Sequence, residues 1–245
     1  MKLRILVGSL LVWGSFPGCS MAGWAMSDCS MPGVGTLALS GSRSSCAFSP
    51  SLEHSKKIEE SPSSQERKSD KKADAEQLAR ALDYFSSEKF HECLILLQPL
   101  NRRYKLNPRY RAYLAVCLYY EWEYAEAIRL FDEVIPQLQG LAPHELSLYY
   151  WMDAESYFAL QQYDRALPLY EKMLPLCRDN EKPDAYYRMG FCHLFAAESS
   201  GSSAEERKKA KECFELSLEG YLKYRNTPKE KARIAQIRHM IGGLK

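Results

Sequence analysis

The sequence is short of several features on which large classes of protein depend. Glycine accounts for only 13 of the 245 residues, which is few for a Gly-rich nucleotide-binding fold or an all-β protein with many turns. Lys and Arg together number 33 and Asp and Glu 31, so the net charge is only +2. Nucleic-acid-binding proteins usually carry a larger positive excess. The composition therefore gives no support to a nucleic-acid partner.

The chain also lacks the motifs of the common enzyme and metal-binding classes. It contains no P-loop, Rossmann fingerprint, HExxH motif or nucleophile elbow. Its eight cysteines form no C-x-x-C pair, so a redox or zinc motif is not supported. The five histidines are scattered, and we interpret His193 as a hydrogen-bonded core residue rather than a metal ligand. We predict no catalytic residues, no metal and no cofactor.

One long apolar run is present, at the start of the chain. It extends over 12 residues, from Ile5 to Phe16, and the positively charged Lys2 and Arg4 come just before it. It is too short for a transmembrane helix but has the length of a signal-peptide core. Gly18-Cys19 follows, and a small residue before a cysteine at this place resembles the lipobox of bacterial lipoproteins. The resemblance implies that residues 1–18 are removed and that Cys19 is lipidated.

Two departures from the lipobox leave alternatives open. Phe16 stands where Leu is usual and Pro17 where a small residue is usual. Gly23-Trp24-Ala25 offers a second cleavage site, which would release a soluble exported protein; a third alternative is that neither form of export occurs. Export by either site places the protein outside the cytoplasm. Lipidation would also anchor it to a membrane of the bacterial cell envelope, on the periplasmic side or the surface.

Residues 19–72 have the composition of a disordered tether. They include the Ser-rich stretch 40–45, and between Ser51 and Asp74 the chain carries six Lys or Arg and six Asp or Glu residues. Such a segment buries too little apolar surface to offset the entropy lost on ordering. It predicts a linker that holds a folded domain, residues 73–245, away from the membrane.

From Ala73 onwards the sequence repeats a pattern of small and large residues. A first small residue is followed 12 positions later by a second, and a large apolar residue stands four positions beyond that. In the fourth unit the spacing is 20, which indicates an insertion near residues 198–203. The first small, second small and large residues of the four units are Ala81, Cys93 and Leu97; Ala115, Ala127 and Phe131; Ala154, Ala166 and Tyr170; and Gly190, Ala210 and Phe214.

The second and third units, from Ala115 to Phe131 and from Ala154 to Tyr170, resemble the tetratricopeptide repeat (TPR) family. Its unit has about 34 residues and forms two antiparallel helices. The resemblance implies an all-α, TPR-like solenoid of about four helix pairs. The third small site of the family is mostly lost, which implies wider helix packing or a related helical repeat. Leu100, Val134 and Met173 stand there instead.

The positions of several prolines support the predicted helix boundaries. Pro136 and Pro175 lie 39 residues apart, and each follows an apolar helical face that it is expected to end. Pro168 is compatible with a helix that Asp164 caps, because it would then lie in the first turn. Residues 227–230 read as a cap, a first-turn proline and a capping-box glutamate. They predict a C-terminal capping helix that stops at Gly242-Gly243.

An aromatic stripe on the first helices is the candidate partner-binding site. The TPR resemblance implies that these positions line a concave groove that binds peptides, and large aromatic rings suit that role. The alternative is that the stripe is core. If it binds a partner, we expect its aromatic rings to be partly exposed. The predicted partner-binding residues are Tyr119, Tyr120, Trp151, Glu155, Phe158, Tyr187 and Phe191.

Two further groups of residues have simpler interpretations. Cys93, Cys117 and Cys192 take small packing positions and are read as core thiols. Residues 205–245 carry 11 Lys or Arg against six Asp or Glu, which predicts either a solvated basic end or a docking face for an acidic partner. The sequence thus predicts a lipid-tethered scaffold that binds a protein or peptide. The alternative is a soluble exported accessory subunit without a peptide groove.

Overall fold

A computed structural model describes residues 64–199 and 203–244 of the chain. No β-strand occurs among these residues, so the predicted all-α class is confirmed. Two short 3-10 turns, Ile135–Gln137 and Pro228–Glu230, accompany the α-helices. The helices are α1 Ser64–Ser86, α2 Phe90–Arg103, α3 Pro108–Tyr120, α4 Tyr124–Val134, α5 Pro143–Ala159, α6 Tyr163–Met173, α7 Lys182–Ser199, α8 Ser203–Tyr224 and α9 Lys231–Gly243.

The helices pack in the order in which they follow one another in the sequence. α1 contacts α2, α3 contacts α4, α5 contacts α6 and α7 contacts α8, which gives four helix pairs. The second helix of each pair contacts the first helix of the next, and α3 also contacts α5. α9 packs on α8 in the same way, so it takes the place of a fifth first helix. This order of contacts is that of a TPR-like α-solenoid.

The small residues of the repeat lie where the paired helices meet. Gly190 is buried, and a Cβ atom added to it would lie 2.7 Å from the ring of Phe214 on α8. A side chain there would therefore push the two helices apart. The other small residues and the large residues beside them are fully buried. They are Ala81, Cys93, Ala115, Ala127, Ala154, Ala166 and Ala210, and Leu97, Phe131, Tyr170 and Phe214.

One turn geometry joins the two helices of each of the first three pairs. Glu88, Trp122 and Gln161 each adopt a positive φ, of 57°, 68° and 60°. Non-glycine residues rarely adopt this conformation, and the absence of Gly or Asn at these positions hid the turns from sequence analysis. In each turn the next residue donates its N–H to a carbonyl five residues earlier, from Lys89 to Tyr84, Glu123 to Leu118 and Gln162 to Tyr157, at 2.9 Å.

The proline expectations hold for α4 and α6 but not within α6. α4 ends at Val134 before Pro136, and α6 ends at Met173 before Pro175, as predicted. Asp164 does not cap α6, because the helix begins at Tyr163 with Gln162 as its N-cap. Pro168 therefore lies inside α6, beyond the first turn.

The structure also differs from expectation at several helix ends. α1 begins at Ser64, earlier than the Ala73 boundary. The extra residues of the fourth unit lengthen α7 and α8 to 18 and 22 residues, compared with 17 and 11 in α5 and α6. Thr227 makes no side-chain capping bond; its segment forms a 3-10 turn, and α9 then continues through Gly243. Cys19, the proposed signal peptide and residues 19–63 of the tether lie outside the described residues.

Candidate partner-binding face

A buried ion pair occupies the centre of the predicted stripe. Glu155 on α5 is 6% exposed and accepts hydrogen bonds from the Tyr170 hydroxyl at 2.5 Å and from Arg188 Nη2 at 2.7 Å. Burial lowers the pKa of Arg188, but the Glu155 carboxylate and nearby tyrosines raise it by more. Charge-assisted bonds of this kind compensate the cost of burying both ions. The pair joins α5, α6 and α7, and Glu155 is not a surface contact.

Trp151 and Tyr187 are buried, so these two residues lack the partial exposure that a partner-binding role requires and fit the core alternative. Trp151 is 7% exposed and meets the ring of Tyr170 edge to face at 5.5 Å. Tyr187 is 4% exposed, lies 6.0 Å from Phe214 and has the Arg233 guanidinium 4.4 Å from its ring centre. Helical spacing cannot separate these residues from their exposed neighbours, because α5 and α7 are enclosed on several sides.

Partly exposed rings of α5, α6 and α7, each with less than half of its residue's surface open to solvent, are in continuous contact and form what we call the aromatic strip. It consists of Phe158, Tyr163, Phe191 and Phe195. Tyr163 stacks on Phe195 at 4.5 Å and meets Phe158 at 5.1 Å, and Phe195 lies 6.0 Å from Phe191. The Arg188 guanidinium lies 4.6 Å from the centre of Phe158. Two of the predicted residues, Phe158 and Phe191, thus belong to a partly exposed cluster, as a binding face requires.

A second group of largely buried rings lies around the turn between α3 and α4. Tyr120 stacks on Phe90 at 4.0 Å, and Tyr119 lies 5.2 Å from Tyr120 and 5.9 Å from Tyr124. Burial raises the pKa of Tyr119 well above its ordinary value, and the charge of Glu155 adds to the increase. The positive charge of Arg188 acts on the same hydroxyl in the opposite direction.

Three aromatic residues of these clusters were not among the predicted binding residues, although they share a position in the repeat. Phe90, Tyr124 and Tyr163 are the first residues of α2, α4 and α6, and they recur at the unit spacings of 34 and 39 residues. Each packs on an aromatic residue near the end of a first helix. An aromatic residue three positions before the second small residue was the signal that could have revealed them.

The cysteine and histidine interpretations are confirmed. Cys93, Cys117 and Cys192 are buried free thiols. A hydrogen bond with Cys93 and burial raise the pKa of the Cys117 thiol, and burial raises that of Cys192 to about 12. His193 is buried, with Nδ1 2.8 Å from a carboxylate oxygen of Glu206.

Neither a metal site nor a membrane span is found where the structure can be described. No group of three His, Cys, Asp or Glu side chains in residues 64–199 and 203–244 is arranged to hold a metal ion. None of the helices described there combines the length and the hydrophobicity that crossing a bilayer requires.

The basic C-terminal region is only partly available to a partner. Arg225 is half-buried and donates to Asp184 at 2.5 Å and to Glu230 at 2.7 Å. Arg233 covers the ring of Tyr187. Exposed cations remain at Lys223, Lys229, Lys231 and Arg238. Two of the arginines counted in the sequence therefore stabilise the end of the solenoid.

No family model and no curated protein sequence matches this chain. Similar solved structures are repeat proteins. MamA from Desulfovibrio magneticus RS-1 is 15% identical with a TM-score of 0.45, covering 70% of this chain and 92% of that one. The nearly identical TPR-like repeats of a Podosopora anserina kinesin light chain are 16% identical with a TM-score of 0.47, covering 69% and 84%. Likenesses this weak say nothing about what this chain binds.

Proposed function

We propose that this chain is a protein-interaction scaffold that binds a partner protein or peptide through the aromatic strip. The observation that carries the proposal is the continuity of the partly exposed rings of Phe158, Tyr163, Phe191 and Phe195 across three helices. Rings held by helices offer a large contact area at little cost in conformational entropy. The expected occupant is an extended or helical segment with apolar side chains.

The buried ion pair would support this surface rather than touch the partner. Glu155 fixes Arg188, and Arg188 in turn holds Phe158 by a cation–π contact. These contacts fix the position of Phe158 in the strip relative to α5 and α7. A surface fixed before binding loses little side-chain entropy when the partner arrives.

Capture from solubilised membranes tests the role of the strip. Full-length protein with Tyr163→Ala and Phe195→Ala should lose the partner that the wild type retains, while its far-UV circular dichroism stays unchanged. Tyr224→Ala is the matched control, because Tyr224 is an aromatic residue on α8 with 42% of its surface exposed, outside the strip. Equal capture by the strip variant, the Tyr224→Ala control and the wild type would exclude the strip as the binding face.

Lipid attachment at Cys19 is the second part of the proposed function. It rests on the apolar run from Ile5 to Phe16 and on Gly18-Cys19 behind it. The mature chain, isolated from bacterial membranes, should have an intact mass that begins at Cys19 and includes a diacyl or triacyl group. A mature chain that begins at Met26 would contradict lipidation and indicate a soluble exported protein.

One observation favours the alternative of an accessory subunit without a peptide groove. Trp151 and Tyr187, two of the predicted contacts, are buried in the solenoid. In that case the aromatic residues stabilise helix packing, and the protein holds other subunits by surfaces outside the strip. The capture experiment separates the two functions, because only the first depends on Tyr163 and Phe195.

A further inference from the structure

α5 carries a buried carboxyl group that plays no part in the aromatic strip. Asp153 is 1% exposed, and its Oδ1 atom has no hydrogen-bond partner among the described residues. A carboxylate that is buried without a partner is costly, and such a group commonly avoids the cost by holding a proton. Asp153 therefore differs from Glu155, which is buried but paired with Arg188.

The position of Asp153 in the repeat makes the carboxyl group more unusual. Asp153 directly precedes the first small residue of its unit, Ala154. The equivalent residues of the second and fourth units are Leu114 and Met189, and both are buried apolar side chains. In the first unit the position holds Arg80, which is exposed, so of the four units the third alone buries a charged residue there.

Asp153 faces one charged group on each of the two neighbouring second helices. Asp132 on α4 and Lys172 on α6 are both exposed and act on it electrostatically. Asp132 also accepts a hydrogen bond from the Tyr157 hydroxyl at 2.8 Å, and the Arg165 guanidinium lies 5.9 Å from the Tyr157 ring centre. Burial raises the pKa of Asp153 to about 8, Asp132 adds to the increase, and Lys172 opposes it.

We propose that Asp153 binds a proton at neutral pH and that loss of this proton weakens the packing of α5 against α4 and α6. This packing is then a pH-sensitive element of the solenoid. Because α5 also presents Phe158, the proton would act on a helix that forms part of the aromatic strip. The pH sensitivity itself does not depend on whether the strip binds a partner.

The direction of the pH dependence follows from proton linkage. An unfolded Asp ionises near pH 3.9, whereas the pKa of Asp153 in the folded chain is about 8. Between these values unfolding releases one proton, so the unfolding equilibrium constant rises about tenfold per pH unit from this group. The stability that the proton supplies is complete below about pH 4 and is lost as the pH rises through about 8.

Carboxyl titration of the full chain by nuclear magnetic resonance, with carbon-13-labelled Asp, tests the proposal directly. The Asp153 signal should titrate near pH 8. Its midpoint should fall in Asp132→Asn, which removes a neighbouring negative charge, and rise in Lys172→Met, which removes a positive one. Sequential backbone assignment identifies the Asp153 signal, and the wild-type midpoint tests the proposal even if a variant fails to fold. A wild-type midpoint near 4, or no movement in either variant, would overturn the proposal.

Urea unfolding between pH 5 and pH 7.5 provides the second test. The ratio of unfolding constants between the wild type and Asp153→Asn should rise about tenfold per pH unit, because the neutral amide binds no proton. Asp153→Leu should behave like Asp153→Asn, since Leu114 shows that the repeat accepts leucine there. Asp83→Asn, at an exposed position on α1, should keep the wild-type pH dependence. A ratio that does not change with pH would contradict the proposal.

Discussion

Small side chains set how closely the two helices of a pair approach. Ala127 on α4 and Ala166 on α6 are fully buried, with Phe131 and Tyr170 buried one turn further along. An alanine there leaves space for the backbone of the partner helix, and the large residue fills the groove beside it. The sequence was sufficient to predict these residues, because their spacing repeats and their sizes alternate.

We expect Ala127→Leu and Ala166→Leu each to lower the free energy of unfolding by roughly 1–3 kcal/mol through overpacking. Urea denaturation measures the loss. Ala125→Leu is the matched control, since Ala125 is exposed on the same helix as Ala127 and should leave stability nearly unchanged. If all three variants unfold like the wild type, the buried alanines are not close-packing sites.

The Glu155–Arg188 pair was beyond the reach of sequence analysis. The two residues are 33 positions apart, and Glu155 fitted the helical spacing of the stripe as well as any surface residue would. Only the structure shows that Tyr170 and Arg188 enclose its carboxylate. The same limit applies to Trp151, because a helix surrounded by neighbours has no exposed face for periodicity to reveal.

Breaking this pair should be more costly than removing it. Glu155→Met leaves Arg188, whose side chain is only 20% exposed, without its carboxylate and should cost roughly 3–5 kcal/mol of unfolding free energy. The double variant Glu155→Met with Arg188→Met should recover a large part of that loss. Thermal and urea unfolding of the two variants measure it. A double variant less stable than the single one would contradict this expectation and mean that Arg188 stabilises the fold through other contacts, such as the one with Phe158.

At the scale of the helices, α7 and α8 form the longest pair. The insertion that interrupts the fourth unit adds turns to the helices, which approach each other closely at Gly190 against Phe214 and at Gly220 against Pro183. The sequence located the insertion but not its form, because a Ser-rich stretch is typical of a loop and only a few of its residues separate the two helices. The three matching turns with positive φ were missed for a similar reason, since their residues are not glycine.

Gly190→Ala should lower the free energy of unfolding by roughly 1–3 kcal/mol, because its Cβ would come within 2.7 Å of the Phe214 ring. Adding Phe214→Leu should restore part of the loss by making room for the methyl group. Gly140→Ala is the control, because nothing lies within 4 Å of a Cβ atom there. Equal melting temperatures for Gly190→Ala and Gly140→Ala would refute the close contact.

At the scale of the whole molecule, the sequence predicts the order in which the helices stack but not the residue at which the first helix begins. A repeat of two helices can bury its apolar faces only by stacking on its neighbours, so the four small-residue units imply four stacked pairs. The first helix begins at Ser64 because the charged residues before Ala73 also favour helix. Their composition alone had suggested a tether.

The central claim is that the aromatic strip binds the partner. The most direct test is the affinity of the captured partner for a variant that lacks one ring of the strip. Phe195→Ala removes one partly exposed ring from the strip and should raise the dissociation constant about 30-fold, which corresponds to about 2 kcal/mol at a binding hot spot. Its melting temperature should stay close to that of Tyr224→Ala. An unchanged dissociation constant for Phe195→Ala, measured beside the Tyr224→Ala control, would contradict the claim that the strip binds the partner.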